Sequence, residues 1–243
     1  MKNKLMQLVK DNAQNDRPVL RSEAATDGTH VYVYDVIDSF WGVGAADLLK
    51  ALGEAGDTTV HLHINSPGGD VFEARAMAAA IVACPNNVVT HIDGVCASAA
   101  TYLALSANEV RMTDGGLFMV HNSWTMAMGD CNVLRQTADL LQKIDGTIQS
   151  DYCKKTGASA EQVTAWMDAE TWFTAQEALD SGFIDAIDAN SKQDAPTDKW
   201  NLSAYAHAPA PKSAIQETDL TESVSRQVQA NQNRMRLLAQ KRI

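Results

Sequence analysis

The sequence predicts an α/β protein, and three observations predict it. Runs rich in Val, Ile and Tyr alternate with Ala- and Leu-rich helical runs from residue 30 to residue 187. The junctions carry Gly, Pro, Asn and Asp, as in Ser66-Pro67-Gly68-Gly69-Asp70 and Cys84-Pro85-Asn86-Asn87. Hydrophobic residues make up 45% of 243, enough for one sizeable core with an appendage. Repeated strand–turn–helix units of this kind build a sheet covered by helices.

In chain order, residues 1–29 read as a polar arm, with a short helical run at 5–9 and a turn at Asp27-Gly28. Residues 30–37 are β-branched and aromatic, a strand; 45–55 form a helix with Leu48, Leu49 and Leu52 on one face. Residues 60–65 form a second strand, with Val60, Leu62 and Ile64 on one face and His61 and His63 on the other. Two histidines at this spacing are of metal-ligand type. The nearby sequence shows no third ligand, so the expectation is a solvated or hydrogen-bonded face. The turn at 66–70 follows, with Asp70 as N-cap of a helix over 71–83.

A strand over 88–92 leads into Gly94-Val95-Cys96-Ala97-Ser98-Ala99-Ala100 and an apolar helix over 99–107. Strands over 109–112 and 117–120 come next, and His121 ends the latter. A long helix is predicted over 129–156. Val133, Leu140, Ile144, Ile148 and Tyr152 line one stripe and Gly157 is its C-cap. Two capping boxes, Ser159-Ala160-Glu161-Gln162 and Thr174-Ala175-Gln176-Glu177, start shorter helices. Residues 168–173 between them read as an extended link, and 183–187 as a last strand. Residues 188–216 lose apolar periodicity and read as a polar linker. Residues 217–243 read as a polar tail with a helical stretch over 222–241 that needs a partner.

Composition excludes several functions. The net charge is −10 and the pI near 5.0. An acidic chain lacks the basic patches through which nucleic-acid binders release counterions, so no nucleic-acid partner is expected. No stretch approaches the roughly 20 apolar residues of a membrane span, and the N-terminus has no apolar signal core. No membrane partner and a cytoplasmic location are therefore expected. Cys84, Cys96, Cys131 and Cys153 form no C-x-x-C pair, so reduced thiols and no zinc site are expected. The glycines form neither G-x-G-x-x-G nor a Walker pattern. No cofactor and no metal are expected.

Chemistry concentrates at the Ser98 turn. A serine among small residues between strand and helix can project its hydroxyl into a cleft, with helix N–H groups beside it. Serine needs a base within hydrogen-bond reach, and histidine suits the role near neutral pH. Among the six histidines, His121 is best placed, at the end of an apolar strand. A carboxylate downstream would orient the imidazole. The Ser66–Asp70 turn offers N–H groups able to stabilise an oxyanion.

Four motifs in order now carry a resemblance: Asn65-Ser66-Pro67-Gly68-Gly69; Gly94-Val95-Cys96-Ala97-Ser98-Ala99; Met119-Val120-His121; and Phe173-Thr174-Ala175-Gln176-Glu177-Ala178 with Gly182-Phe183-Ile184-Asp185. Over residues 30–187 the chain resembles the Clp protease proteolytic subunit (ClpP) family. Phe40-Trp41-Gly42, His121-Asn122-Ser123-Trp124 and Asp168-Ala169-Glu170-Thr171-Trp172-Phe173 resemble its phage-encoded head maturation (prohead) branch. The resemblance implies a ClpP/crotonase-like superhelix of repeated ββα units, with the long helix as a protruding handle. It implies a serine endopeptidase with Ser98 as nucleophile and His121 as base. Counting back from Thr174 puts Glu170, 49 residues after His121, where the family has Asp; Asp168 is the runner-up. The oxyanion hole maps to Gly68 or Gly69 and to Ala99.

Protein or peptide substrates are implied, with phage capsid or scaffold proteins as the particular ones. Homo-oligomeric rings, stacked through the handle, are implied too. Residues 1–29 do not resemble the axial segment of ATPase-partnered enzymes, which argues against an unfoldase partner. The tail reads as a tether to head proteins or a segment the enzyme trims from itself. The rival readings are a crotonase-type acyl-CoA enzyme, an inactive ClpP-like ring or scaffold protein, and a Ser-Lys peptidase, for which no lysine is an obvious base.

Overall fold

The computed structural model of the chain describes Leu8, Asn12, residues 20–188 and residues 200–209. The chain divides into units 1–209 and 210–243, and everything described belongs to the first. The expected 222–241 helix lies outside the described residues, as does most of the expected helix at 5–9.

The fold is α/β, with eight strands and six helices among the described residues. β1 (Arg21–Ala24) and β2 (Thr29–Val33) are followed by α1 (Ala45–Glu54), β3 (Val60–Ser66), α2 (Val71–Ala83) and β4 (Val88–Ala97). Then come α3 (Ala100–Leu105), β5 (Glu109–Thr113), β6 (Leu117–Val120), α4 (Cys131–Thr156) and α5 (Ala160–Asp168). β7 (Thr171–Thr174), α6 (Ala175–Asp180) and β8 (Ala186–Asp188) complete it. The sheet order is β1-β2-β3-β4-β5-β8, parallel from β2 onward, with β1 antiparallel on one edge.

Period-two alternation decides which face each strand buries. Val31, Val33, Val60, Leu62, Ile64, Ile92, Val110 and Met112 are all fully buried. With Leu48, Met77, Ile81 and Leu103 of α1, α2 and α3 they make up one core. Each such side chain contributes about 1.5–3 kcal/mol on burial. The intervening positions, His30, Tyr32, His61, His63, His91, Asp93 and Arg111, share the other face. A parallel sheet usually has both faces apolar; here the second is a polar ladder.

β4 branches. Its first half, Val89–Ile92, pairs with β5, and its end, Val95–Ala97, pairs with β6. β7 then pairs antiparallel with β6. This branch turns the end of β4 away from the main sheet and sets Ser98 beside the end of β6.

Several expectations are corrected. The polar arm contains β1, an exposed edge strand joined to β2 by the Asp27-Gly28 turn. A strand exposed on both faces has no hydrophobic alternation to read. The supposed link at 168–173 contains the start of β7, which buries Phe173. The stretch read as linker is not featureless either. Trp200, Ala204 and Tyr205 are buried in a second cluster with Leu8, Val95, Ala97 and Met119. Asn12 ties this cluster together, donating to Leu8 O and Asn201 O and accepting from Asn201 N–H.

The long helix forms as expected, capped by Asp130 and closed by Gly157 at φ 72°. Its apolar stripe splits in two. Ile148 and Tyr152 are buried, while Val133 and Leu140 are 42% and 53% exposed. The N-terminal half of the handle therefore shows apolar side chains that this chain does not cover.

Candidate active site

Ser98 sits between β4 and α3 at φ 55°, a conformation costing a non-glycine residue on the order of 1–3 kcal/mol. The turn is held from both sides. Ser98 N–H donates to Met119 O at 2.9 Å, and the Thr101 N–H and hydroxyl both donate to Ser98 O. Because Ala97 pairs with Met119, the nucleophile turn and the end of β6 are locked in register. The result is a Ser98 Oγ to His121 Nε2 distance of 2.7 Å. An imidazole at this range can take the hydroxyl proton as oxygen attacks.

Cys96, two residues earlier, is no rival nucleophile. It is completely buried, and burial pushes its thiol well above the usual range, so no thiolate forms.

The Ser66–Asp70 turn closes over the serine. Gly68 stands at φ 91° and its Cα faces the Ser98 turn. A Cβ there would lie 2.5 Å from Ala97 O, 2.9 Å from Ser98 Cβ and 3.1 Å from Ala99 N. Only glycine permits this approach. Gly68 N–H donates to Ser66 Oγ at 3.2 Å. Gly69, at φ 154°, is backed tightly against Ile37 and shares that strictness. Gly68→Ala is expected to lower turnover about a hundredfold or more, because the added Cβ would force the glycine turn away from Ser98; steady-state kinetics on a folded variant reads it.

The two candidate carboxylates have separate surroundings. Asp168 Oδ1 accepts from the Asn122 amide at 2.7 Å. Glu170 accepts the Ala206 N–H at 3.1 Å and the His207 N–H at 2.6 Å. Glu170 also stands at φ 49°; among the described residues it and Ser98 are the two non-glycines with positive φ. Strain of this kind clusters at functional positions.

Sequence reading missed Tyr205 and Trp200. The segment 200–209 crosses the site. The Trp200 indole donates to Asn65 Oδ1 at 2.8 Å, and the Tyr205 hydroxyl donates to Pro67 O, beside Gly68. The Tyr205 ring meets His121 edge-on at 5.4 Å and Trp172 at 5.7 Å. Burial raises the Tyr205 pKa against the opposing effect of a hydrogen bond with Ser98, so the phenol stays neutral. The available signal was compositional: these are the only two aromatics between residue 188 and the end of the chain.

A serine hydroxyl within hydrogen-bond reach of a histidine, beside a glycine turn, is an arrangement of the serine-hydrolase type. Comparison with known proteins places it. The Clp protease family model matches residues 22–191. The chain belongs to the Clp protease family. It is 32% identical to ATP-dependent Clp protease proteolytic subunit 1 of Leifsonia xyli over 59% of this chain and 74% of that one. It is 30% identical to the ATP-dependent Clp protease proteolytic subunit of Streptococcus pneumoniae over 57% and 74%. A ClpP1 mutant structure from Listeria monocytogenes superposes with a TM-score of 0.60, at 23% identity, covering 66% of this chain and 91% of that one. That likeness establishes the ClpP/crotonase-like fold. No helix among the described residues is long and apolar enough to cross a membrane.

Proposed function

We propose that the chain is a serine endopeptidase working through an acyl-enzyme. The observation that carries this is the 2.7 Å contact between Ser98 Oγ and His121 Nε2 at a strained turn facing Gly68. Ser98 Oγ attacks the scissile carbonyl while His121 takes its proton. The carbonyl oxygen, now negative, is met by the Ala99 and Gly69 N–H groups. His121 then protonates the leaving amine, and water releases the acyl group by the reverse steps. Formation of the acyl-enzyme is tested by mass spectrometry of the intact chain after incubation with an activated ester. A stable adduct on a Ser98 peptide supports the reading, and an adduct elsewhere removes it.

Glu170 is assigned as the carboxylate that braces His121, with Asp168 as the competitor. Its strained backbone favours Glu170, and the Asn122 contact gives Asp168 a separate structural task. Glu170→Gln should lower kcat by roughly three to four orders of magnitude, and Asp168→Asn only a few-fold. The opposite ranking would transfer the role to Asp168.

The same Glu170 oxygens accept N–H groups from the segment that packs Tyr205 against the catalytic pair. The chain thus holds its own tail across the cleft, and this arrangement is read as a latent form. Displacing the tail takes the Tyr205 ring away from His121 and opens the cleft to a substrate. A permanently inactive scaffold protein is the alternative reading, which the Glu170 contacts also suit. It predicts no turnover in any tail variant.

The assembly is read as a homo-oligomer joined through the handle, supported by the exposed Val133, Leu134 and Leu140. Leu140→Asp, 53% exposed and so harmless to the monomer's core, should dissociate it in light scattering. A cytoplasmic setting is proposed on the likeness to the Clp protease proteolytic subunits. The substrates are read as capsid or scaffold proteins of an assembling phage head, on the motifs at 40–42, 121–124 and 168–173. Co-expression with such proteins should yield new termini that vanish with Ser98→Ala. The tail is read as a tether to head proteins or a self-trimmed segment; an intact tail in mature active particles would remove self-trimming.

A further inference from the structure

The polar face of the sheet brings together four of the six histidines. His30 pairs with His61, and Tyr32, His63, His91 and Arg111 pair in turn across β2, β3, β4 and β5. The rings stack at 4.7 Å for His30 and His61 and at 4.9 Å for His63 and His91. Two diagonal hydrogen bonds connect the rungs: His30 Nδ1 to His63 Nε2 at 2.9 Å, and His61 Nδ1 to His91 Nε2 at 3.0 Å.

Carboxylates at the inner ends set the tautomers. Asp93 Oδ2 lies 2.7 Å from His63 Nδ1 and also accepts the Tyr34 hydroxyl. A carboxylate can only accept, so His63 carries a proton on Nδ1, and in the neutral ring Nε2 is the atom with the lone pair. His30 therefore donates from Nδ1 to His63, and its own lone pair is on Nε2. The second relay runs alike. Asp188 Oδ2 faces His91 Nδ1 at 3.5 Å, while Asp188 Oδ1 takes Arg111. His91 Nε2 then accepts from His61 Nδ1, and the His61 lone pair is on Nε2.

Both relays end at one residue. His30 Nε2 lies 3.2 Å from Asp27 Oδ1, and His61 Nε2 lies 3.4 Å from the Asp27 carbonyl oxygen. Two imidazole nitrogens thus converge on the carboxylate and the carbonyl of one residue. One Asp27 carboxylate oxygen and one ring nitrogen each of His30 and His61 all lie within 4.8 Å of one another. Ligands about 2 Å from a tetrahedral metal stand about 3.3 Å apart. The turn bearing Asp27 is pressed in place by Gly28, at φ 151°, where a Cβ would come within 3.0 Å of His61 Cδ2.

We propose that Asp27, His30 and His61 form a binding site for one divalent cation of the zinc class, pinning the β1–β2 hairpin to β3. Imidazole and carboxylate donors suit zinc, cobalt and nickel, and exclude magnesium and calcium as preferred ions. His63–Asp93 and His91–Asp188 hold the ligands in orientation from behind, as supporting carboxylates do for metal-bound histidines. The Asp27 carbonyl or a water completes the coordination.

The test is cobalt(II) titration of the EDTA-treated full-length protein, followed by zinc competition, in wild type and in a His121→Ala background that removes the catalytic imidazole. The expected result is one equivalent in both, with the visible absorption of tetrahedral cobalt and Kd on the order of 1 µM or tighter. Asp27→Asn, in an exposed turn and so compatible with folding, should weaken binding about tenfold or more. His30→Gln and His61→Gln should weaken it further. His63→Gln, which touches no metal, should weaken it about tenfold to a hundredfold. Binding weaker than 100-fold above that Kd, or equal affinity in wild type and Asp27→Asn, overturns the proposal. So does imidazole 15N NMR showing His30 or His61 doubly protonated at neutral pH with zinc present, because a proton then fills the place given to the cation.

Discussion

Ser98→Ala is expected to abolish labelling by a fluorophosphonate probe and to reduce peptide hydrolysis by several orders of magnitude. The probe reacts with an activated serine oxygen and not with an ordinary hydroxyl. Among the described residues, the group proposed to activate it is the His121 imidazole 2.7 Å from Ser98 Oγ. His121→Ala should therefore fall nearly as far, and the double variant no further, because the two groups act as one unit. Residual hydrolysis above the uncatalysed rate would report the backbone donors, since removing triad members elsewhere leaves roughly 10³–10⁴-fold catalysis from oxyanion binding and substrate positioning. Labelling that survives Ser98→Ala would sink the assignment. Neither substitution threatens the fold: Ser98 and His121 are half-buried, outside the main apolar core.

Tyr205→Ala is expected to raise turnover. The Tyr205 ring is 9% exposed, packs against His121 and Trp172, and donates its hydroxyl proton to Pro67 O in the glycine turn. Burial of the ring is worth about 1.5–3 kcal/mol and the hydrogen bond about 1 kcal/mol. Losing both shifts the balance between covered and open cleft by up to about two to three decades. A gain of about tenfold to a hundredfold in peptide turnover is the expected reading, with faster probe labelling. Tyr205→Phe keeps the ring and loses only the O–H, so its gain should be near fivefold. The graded pair separates latency from simple damage. If Tyr205→Ala and Tyr205→Phe both leave turnover unchanged or lower it, the tail is no strap.

Much of this protein is legible along the chain. α2 and the capping box at Thr174 appear where local patterns put them, because caps and periodicity are properties of a few neighbouring residues. The turn at Ser98 and the strand end that carries His121 are legible too, since small residues mark the one and an apolar run the other. Glu170 is harder. Its position follows from a count, but its partners follow from a segment some 36 residues later whose path no local signal describes. β1 stayed hidden for a different reason: an edge strand exposed on both faces leaves no alternation.

The sequence by itself determined the alternation of strands and helices, the Ser98 turn and the glycine turn that faces it. It showed His61 and His63 without a third ligand. Only the tertiary structure decided that His30, His91 and Asp27 meet them, and that Tyr205 returns to the Ser98 turn. The physical reason is register. Parallel strands some 30 residues apart must pair in one alignment to bury Val31, Leu62 and Ile92 together, and that alignment places the polar residues of the opposite face without regard to sequence distance.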